Sequence, residues 1–386
     1  MWNNPGLYIH IPFCKSKCKY CGFLSSPAGE EEMLKYVEYL RKECELRAKE
    51  CEGLIFDTVY FGGGTPTVLS NRQLSTILDD YRKRYQITST AEITLEANPG
   101  TLGNSDKEVL ARLTELRKAG FNRLSMGAQS MNDARLSFIG RIHDSKTVKR
   151  DFELAREAGF DNINLDIIFS IPGETTEDAL RDIREIAELS PEHISFYSLQ
   201  LEEGTPFFEM WENKEFEEVS DEADRETYHR GSALLKELGY EHYEISNFAR
   251  KGRRSKHNSK YWAMAWYSGQ GLGASGYMHG ARYANESGMA EWCEAIDSGR
   301  LPIAEEHRNS RHDLISEAIF TGLRRVEGIS FAELEMTRKE VEDYYSDVWS
   351  EATGFVKSGH LIIDDAGMRL TEQGIDISNR IMALFV

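Results

Sequence analysis

The segment LYIHIPFCKSKCKYC, residues 7–21, runs a β-rich stretch directly into three cysteines. Cys14, Cys18 and Cys21 stand in a C-x-x-x-C-x-x-C spacing, so half of the chain's six cysteines fall within eight residues. No fourth cysteine or histidine follows closely, and position 23, where one would sit, is Phe23. Three thiolates at short spacings suit a single metal centre. Structural zinc wants four protein ligands, and His10 is the only nearby candidate for the fourth. An iron–sulfur cluster usually takes four cysteines, and with three it keeps one iron open to an outside ligand. Lys15, Lys17 and Lys19 interleave with the thiols, and positive charge of this kind favours thiolates.

Outward from this segment, one phrase repeats over the first 240 residues: a short β-rich run, a loop, then a helical pattern. LYIHIPF (7–13) precedes a helix near 30–51, and DTVYFGGG (57–64) one near 71–84. EITLEANPG (92–100) leads to SDKEVLARLTELRKAG, where Ser105 and Glu108 have capping-box spacing and Gly120 suits a helix stop. NRLSMGAQ (122–129), NINLDIIFSIPG (162–173) and HISFYSLQL (193–201) repeat the pattern, the last before a helix near 222–238. Six such units predict a parallel sheet with crossover helices. They are too few for a closed eight-unit barrel, and the G-x-G-x-x-G turn of a dinucleotide fold is absent. The expected fold is therefore α/β, a partial (β/α)6 barrel over residues 1–245 with chemistry at the C-terminal ends of its strands. Residues 246–386 open with an aromatic, Gly-rich and locally basic stretch (243–278). They continue as a smaller, mainly helical domain with a small hairpin at its winged-helix-like end.

Composition bounds the function. Net charge is −18, from 46 Lys+Arg against 64 Asp+Glu, which argues against a general nucleic-acid binder. No apolar run approaches the ~20 residues of a membrane span. MWNNPGLYIHIPF has neither a positive n-region nor a cleavage pattern, so a reducing cytoplasm is expected, where clustered cysteines mean metal or redox chemistry. Cys44, Cys51 and Cys293 read as packed or inert thiols.

Polar residues recur at the strand ends. GGGTP (62–66) closes the second strand, Glu96 the third and Gln129 the fourth. Arg141 follows in GRIH, and Asp166 lies on the fifth strand. Each alone is as readily a paired structural group; together they predict a polar ring around a zwitterionic nucleoside.

YIHIPFC, GGGTP, EANPG, SMGAQS, GRIH, NLDIIFSIPGET and HNSKYW, with the cysteine spacing, resemble the radical S-adenosylmethionine superfamily. Within it they are similar to the group containing oxygen-independent coproporphyrinogen III oxidase and the heme chaperones. The resemblance implies a 4Fe–4S cluster on Cys14, Cys18 and Cys21, whose open iron chelates S-adenosylmethionine. It also implies Tyr8, Tyr20, Gly63, Gly64, Thr65, Glu96, Gln129, Arg141 and Asp166 as residues of the S-adenosylmethionine sites. The oxidases carry a further cysteine where Phe23 stands and are extended ahead of the strand that opens here at Tyr8. Both departures weigh against porphyrinogen decarboxylation. The chaperones share H-N-x-x-Y-W, present as His257, Asn258, Tyr261 and Trp262. A histidine can ligate heme iron, and Arg250, Lys251, Arg253, Arg254 and Lys256 can pair with propionates. The expectation is a cytoplasmic heme-binding protein that passes heme to an acceptor protein, itself at the membrane in one version, with no residue assigned a catalytic role. The rival is a radical enzyme, an oxidase or a methyltransferase.

Overall fold

The computed structural model describes residues 4–386, so Met1, Trp2 and Asn3 of the leader reading lie outside it. Six parallel strands form its centre: β1 (Gly6–Ile11), β2 (Ile55–Gly63), β3 (Gln86–Ala97), β4 (Arg123–Gln129), β5 (Ile163–Phe169) and β6 (His193–Ser198). They pair in chain order, and β1 does not pair with β6, so the barrel is open as expected. Helices return the chain between strands. Helix 71–84 starts on a full capping box between Ser70 and Gln73. At helix 106–119 Ser105 accepts from the Glu108 N–H, but the Glu108 carboxylate takes the Asn104 N–H instead of closing the box. Gly120 stops that helix in the left-handed region, at φ 108°, a conformation that costs glycine least.

The sheet does not end at residue 245. β7 (Glu241–Glu244) and β8 (Asn247–Ala249) extend it beyond β6. On the other edge β9 (Tyr267–Gln270) pairs parallel to β1, and β10 (Ser275–Met278), β11 (Ala281–Asn285) and β12 (Ile303–Arg308) follow antiparallel. The result is one 12-stranded sheet over one main core. The Glu30–Arg47 helix fastens the late strands to the early ones. Buried Glu43 accepts from the Trp292 indole (3.0 Å), Asn285 Nδ2 (2.7 Å) and the Gly271 N–H (2.9 Å). A buried carboxylate needs such partners, so this tie holds a particular register.

A second core gathers Ile315, Ile319, Leu323, Phe331, Trp349 and Phe385. It is built of helices with a three-stranded sheet, β13 (Ile329–Ser330), β14 (Leu361–Ile363) and β15 (Gly367–Leu370), the last two being the expected hairpin. No helix among the described residues is long and apolar enough to cross a membrane.

Candidate functional site at the barrel mouth

The cysteine loop is tied down by β2. Pairing of β1 with β2 runs to Ile11–Gly63. Backbone bonds then carry on into the loop: Gly64 N–H to Ile11 O (2.9 Å), Thr65 N–H to Phe13 O (2.7 Å) and Cys14 N–H to Ser26 O (3.1 Å). The run of glycines makes this approach possible. A Cβ on Gly62 would stand 2.8 Å from the Tyr60 ring, one on Gly63 (φ 110°) would strike the His10 ring, and one on Gly64 would sit 2.5 Å from Phe13 O. The space reserved at GGGTP is filled largely by the protein itself, although Gly63 and Gly64 still face the cavity.

The thiols meet donors. Thr65 Oγ1 donates to Cys14 Sγ (3.5 Å) and Arg141 Nη1 to Cys18 Sγ (3.3 Å). Burial pushes the Cys21 thiol up, against the Phe23 backbone N–H and the charge of Lys17. His10 is not a fourth ligand. One ring nitrogen meets the Tyr8 hydroxyl (2.9 Å) and the other Leu24 O (3.0 Å). Among the described residues no three His, Cys, Asp or Glu side chains gather into a group that could hold a metal ion as they stand; the three cysteines line the mouth of a cavity of about 630 Å³. Soft sulfur donors beside a guanidinium and a hydroxyl suit a thiolate-bound cluster.

The cavity wall carries most of the expected ring: Tyr20, Glu96, Gln129, Arg141 and Asp166. Both terminal nitrogens of Arg141 are engaged, Nη2 on Asn98 Oδ1 (2.5 Å) and Gly127 O (2.6 Å) and Nη1 on Cys18. Asp166 accepts from Asn164 Nδ2 (2.7 Å), and burial pushes its carboxyl up. Gln129 ends β4 at φ 68° and its buried Oε1 has no partner. Burial pushes the Tyr20 hydroxyl up, while its ring packs on the apolar cluster around Ile139, Ile168 and Phe207. Tyr8 and Thr65 do not line the cavity. Tyr8 supports His10, and Thr65 braces Cys14 while accepting from Asn98 (2.6 Å).

Burial pushes the Glu96 carboxyl up to about 7, with Asp166 acting in the same direction, against donation from Tyr60 (2.7 Å) and the Gly63 N–H (3.2 Å) and the charge of Arg123. Unfolded, the group ionises near 4.5. The stability it contributes is therefore complete below about 4.5 and is lost as pH rises through about 7. In denaturant melts of the ligand-free protein, Glu96→Gln should flatten the decline over that window. An unchanged slope would mean that Glu96 titrates normally.

HNSKYW lies at the opposite end of the barrel. Helix 256–262 closes its floor, with Glu92 of β3 accepting the N–H groups of Lys256 (3.0 Å) and His257 (3.2 Å). His257 is 0% exposed, stacks on Tyr60 (5.1 Å) and has both ring nitrogens bonded, to Thr58 Oγ1 (2.8 Å) and the Tyr261 hydroxyl (2.9 Å). Burial pushes its pKa down to about 3. The imidazole therefore has neither a free nitrogen nor an open face in this structure. Three of the five residues of the basic run have partners: Arg253 with Asp161 (3.4 Å), Arg254 with Glu327 (3.2 Å), and Arg250 over the Tyr240 ring (4.0 Å). Asn258 alone of the motif's side chains reaches the cavity.

Sequence reasoning missed Arg123, Asn98, Asn164 and His193, all of which line the cavity. Strand alternation counted back from Gln129 through Gly127 and Ser125 would have found Arg123.

Comparison with known proteins bears on the family and the fold. Residues 8–189 match the Radical SAM superfamily, and residues 309–377, which span most of the second core, match the HemN C-terminal domain. Heme chaperone HemW of Bacillus subtilis is 33% identical over 383 residues, covering 98% of both chains. Heme chaperone HemW of Lactococcus lactis is 34% identical over 98% of this chain and 96% of its own. The structure of coproporphyrinogen III oxidase (HemN) from Escherichia coli, a radical SAM enzyme, superposes with a TM-score of 0.84 at 23% identity. It covers 99% of this chain and 90% of that one, a likeness of fold.

Proposed function

The chain belongs to the heme chaperone HemW group of the radical SAM superfamily, and from that membership we propose a heme-binding protein that carries a 4Fe–4S cluster and S-adenosylmethionine and delivers heme to an acceptor protein. The observation that carries it is the convergence of Cys14, Cys18 and Cys21 on the mouth of a cavity walled by Glu96, Gln129, Arg141 and Asp166. The three thiolates would hold the cluster, which with S-adenosylmethionine supplies one-electron chemistry when bound. The chain's own groups bind and orient. Thr65 and Arg141 steady two sulfurs, Gln129 Oε1 offers a free acceptor, and the carboxylates of Glu96 and Asp166 suit a sulfonium cation.

With His257 sealed in the floor, the exposed mouth is where heme would approach. Phe23, 70% exposed, and Tyr197, 38% exposed, flank the mouth. Lys17 stands beside them, its ammonium on Phe23 O (3.2 Å). Flat apolar area next to a cation suits a carboxylated macrocycle. A radical enzyme is the second reading, because the polar ring that suits S-adenosylmethionine is intact.

Anaerobic incubation of the reconstituted protein with coproporphyrinogen III and S-adenosylmethionine, beside a heme titration, tests the two. Heme should bind and no protoporphyrinogen IX should form; turnover without heme binding would reverse the assignment. Phe23→Ala should weaken heme binding. His257→Ala should instead cost about 3 kcal/mol of stability, through lost volume and two orphaned hydroxyls, with the heme spectrum unmoved.

A further inference from the structure

Two side chains on one strand of the barrel are left without partners. β4 turns Arg123, Ser125, Gly127 and Gln129 to the cavity. Gln129 Oε1 is the unpaired acceptor near the mouth; Arg123 Nε and Nη1 are unpaired donors near the floor, on a side chain only 1% exposed. Burying polar groups without partners is costly, and each such case needs an explanation. The surrounding carboxylates are committed elsewhere: Glu92 to the N–H groups of Lys256 and His257, Glu96 to Tyr60 and Gly63, and Asp166 to Asn164. They offset part of the arginine's charge at a distance, but they leave its hydrogen-bonding fork open. Arg141, the other guanidinium of the cavity, has no such vacancy.

The two unpaired groups stand on residues six positions apart along the strand. Six residues of strand span up to about 20 Å, at ~3.3 Å per residue, so the cavity has an upper level at Gln129 and a lower level at Arg123. A guanidinium stays charged, and its planar fork matches a carboxylate with two parallel bonds. From Arg123 and the cavity-lining Asn258 we infer a second, deeper subsite in the barrel that anchors a carboxylate of the bound ligand. The inference rests on the function proposed above and deepens it. Asn258 would bring the HNSKYW helix into ligand binding from below, a role that does not require His257 to leave its pocket.

The carboxylate has two sources, the amino-acid end of S-adenosylmethionine or a heme propionate. Binding to the reconstituted protein is therefore measured for two pairs: S-adenosylmethionine against its decarboxylated analogue, and heme against heme dimethyl ester. Arg123→Gln should cut the preference for the acid over its analogue at least about tenfold in one pair, the size expected for a lost charged hydrogen bond. That pair identifies the source. Because each preference is compared between wild type and variant, contacts made elsewhere, at the cluster included, cancel. Arg123→Lys keeps the charge without the fork and is read in the same way if the glutamine variant does not fold. Preferences unchanged in both pairs would overturn the subsite. If wild type bound neither S-adenosylmethionine nor heme, the function proposed above would fail instead.

Discussion

Alanine at Cys14, Cys18 or Cys21 should leave a chain that folds but does not take up the roughly four irons and four sulfides of a 4Fe–4S cluster. Folding should survive because the three cysteines are only part-buried, in a loop at the mouth, outside both hydrophobic cores. Cluster uptake should not, because no neighbouring side chain can replace a lost ligand: His10 has both ring nitrogens engaged, and Phe23 occupies the position of a further cysteine. Cys44→Ala serves as the control. That thiol is buried in the main core, and burial pushes it up to about 12, so it is a packed hydrophobe with no access to the loop. Iron and acid-labile sulfide analysis after anaerobic reconstitution reads the result. Retention of the full complement in any of the three loop variants would remove that cysteine from the ligand set, and stoichiometric zinc in wild type would replace the cluster altogether.

Gly64→Ala should be nearly as damaging, by a different route. Its Cβ would sit 2.5 Å from Phe13 O and 3.0 Å from Ile11 O. Both neighbours are backbone, so no flexible side chain can swing away. The ladder bonds Gly64 N–H to Ile11 O and Thr65 N–H to Phe13 O would have to open, and they are what aim Thr65 at the Cys14 sulfur. Overpacking at such a site costs about 3 kcal/mol. Denaturant melts should show that loss together with weakened cluster retention. Gly53→Ala separates steric closeness from backbone freedom: Gly53 has a positive φ of 79° with open space around its Cβ position, so it should cost about 1 kcal/mol and spare the cluster. Equal losses at the two sites would contradict the close-approach account.

Local pattern settled a good deal of this protein. The succession of β-rich runs and helical stretches led to six parallel strands in chain order, because each run carries its own periodicity and each helix its own start and stop, as at Ser105 and Gly120. The cysteine spacing and the polar strand ends led to the residues that now face one cavity, because strand ends in parallel barrels share a side. What adjacency in sequence could not show is which face a residue turns to after the chain returns from far away. HNSKYW looked like an accessible heme contact, with its histidine, aromatics and basic run. Tertiary packing places its helix under the barrel floor, where Glu92 takes its backbone N–H groups and Thr58 holds His257, partners 165 and 199 residues away. The late strands β9 to β12 joined the main sheet for the same reason, since Glu43 on the first helix meets Trp292 and Asn285 only in the fold. Arg123 lost its bland look only when every neighbouring carboxylate proved to be engaged with someone else. Burial and pairing of polar groups are properties of the assembled interior, where desolvation makes each missing partner count, and the linear chain holds no record of them.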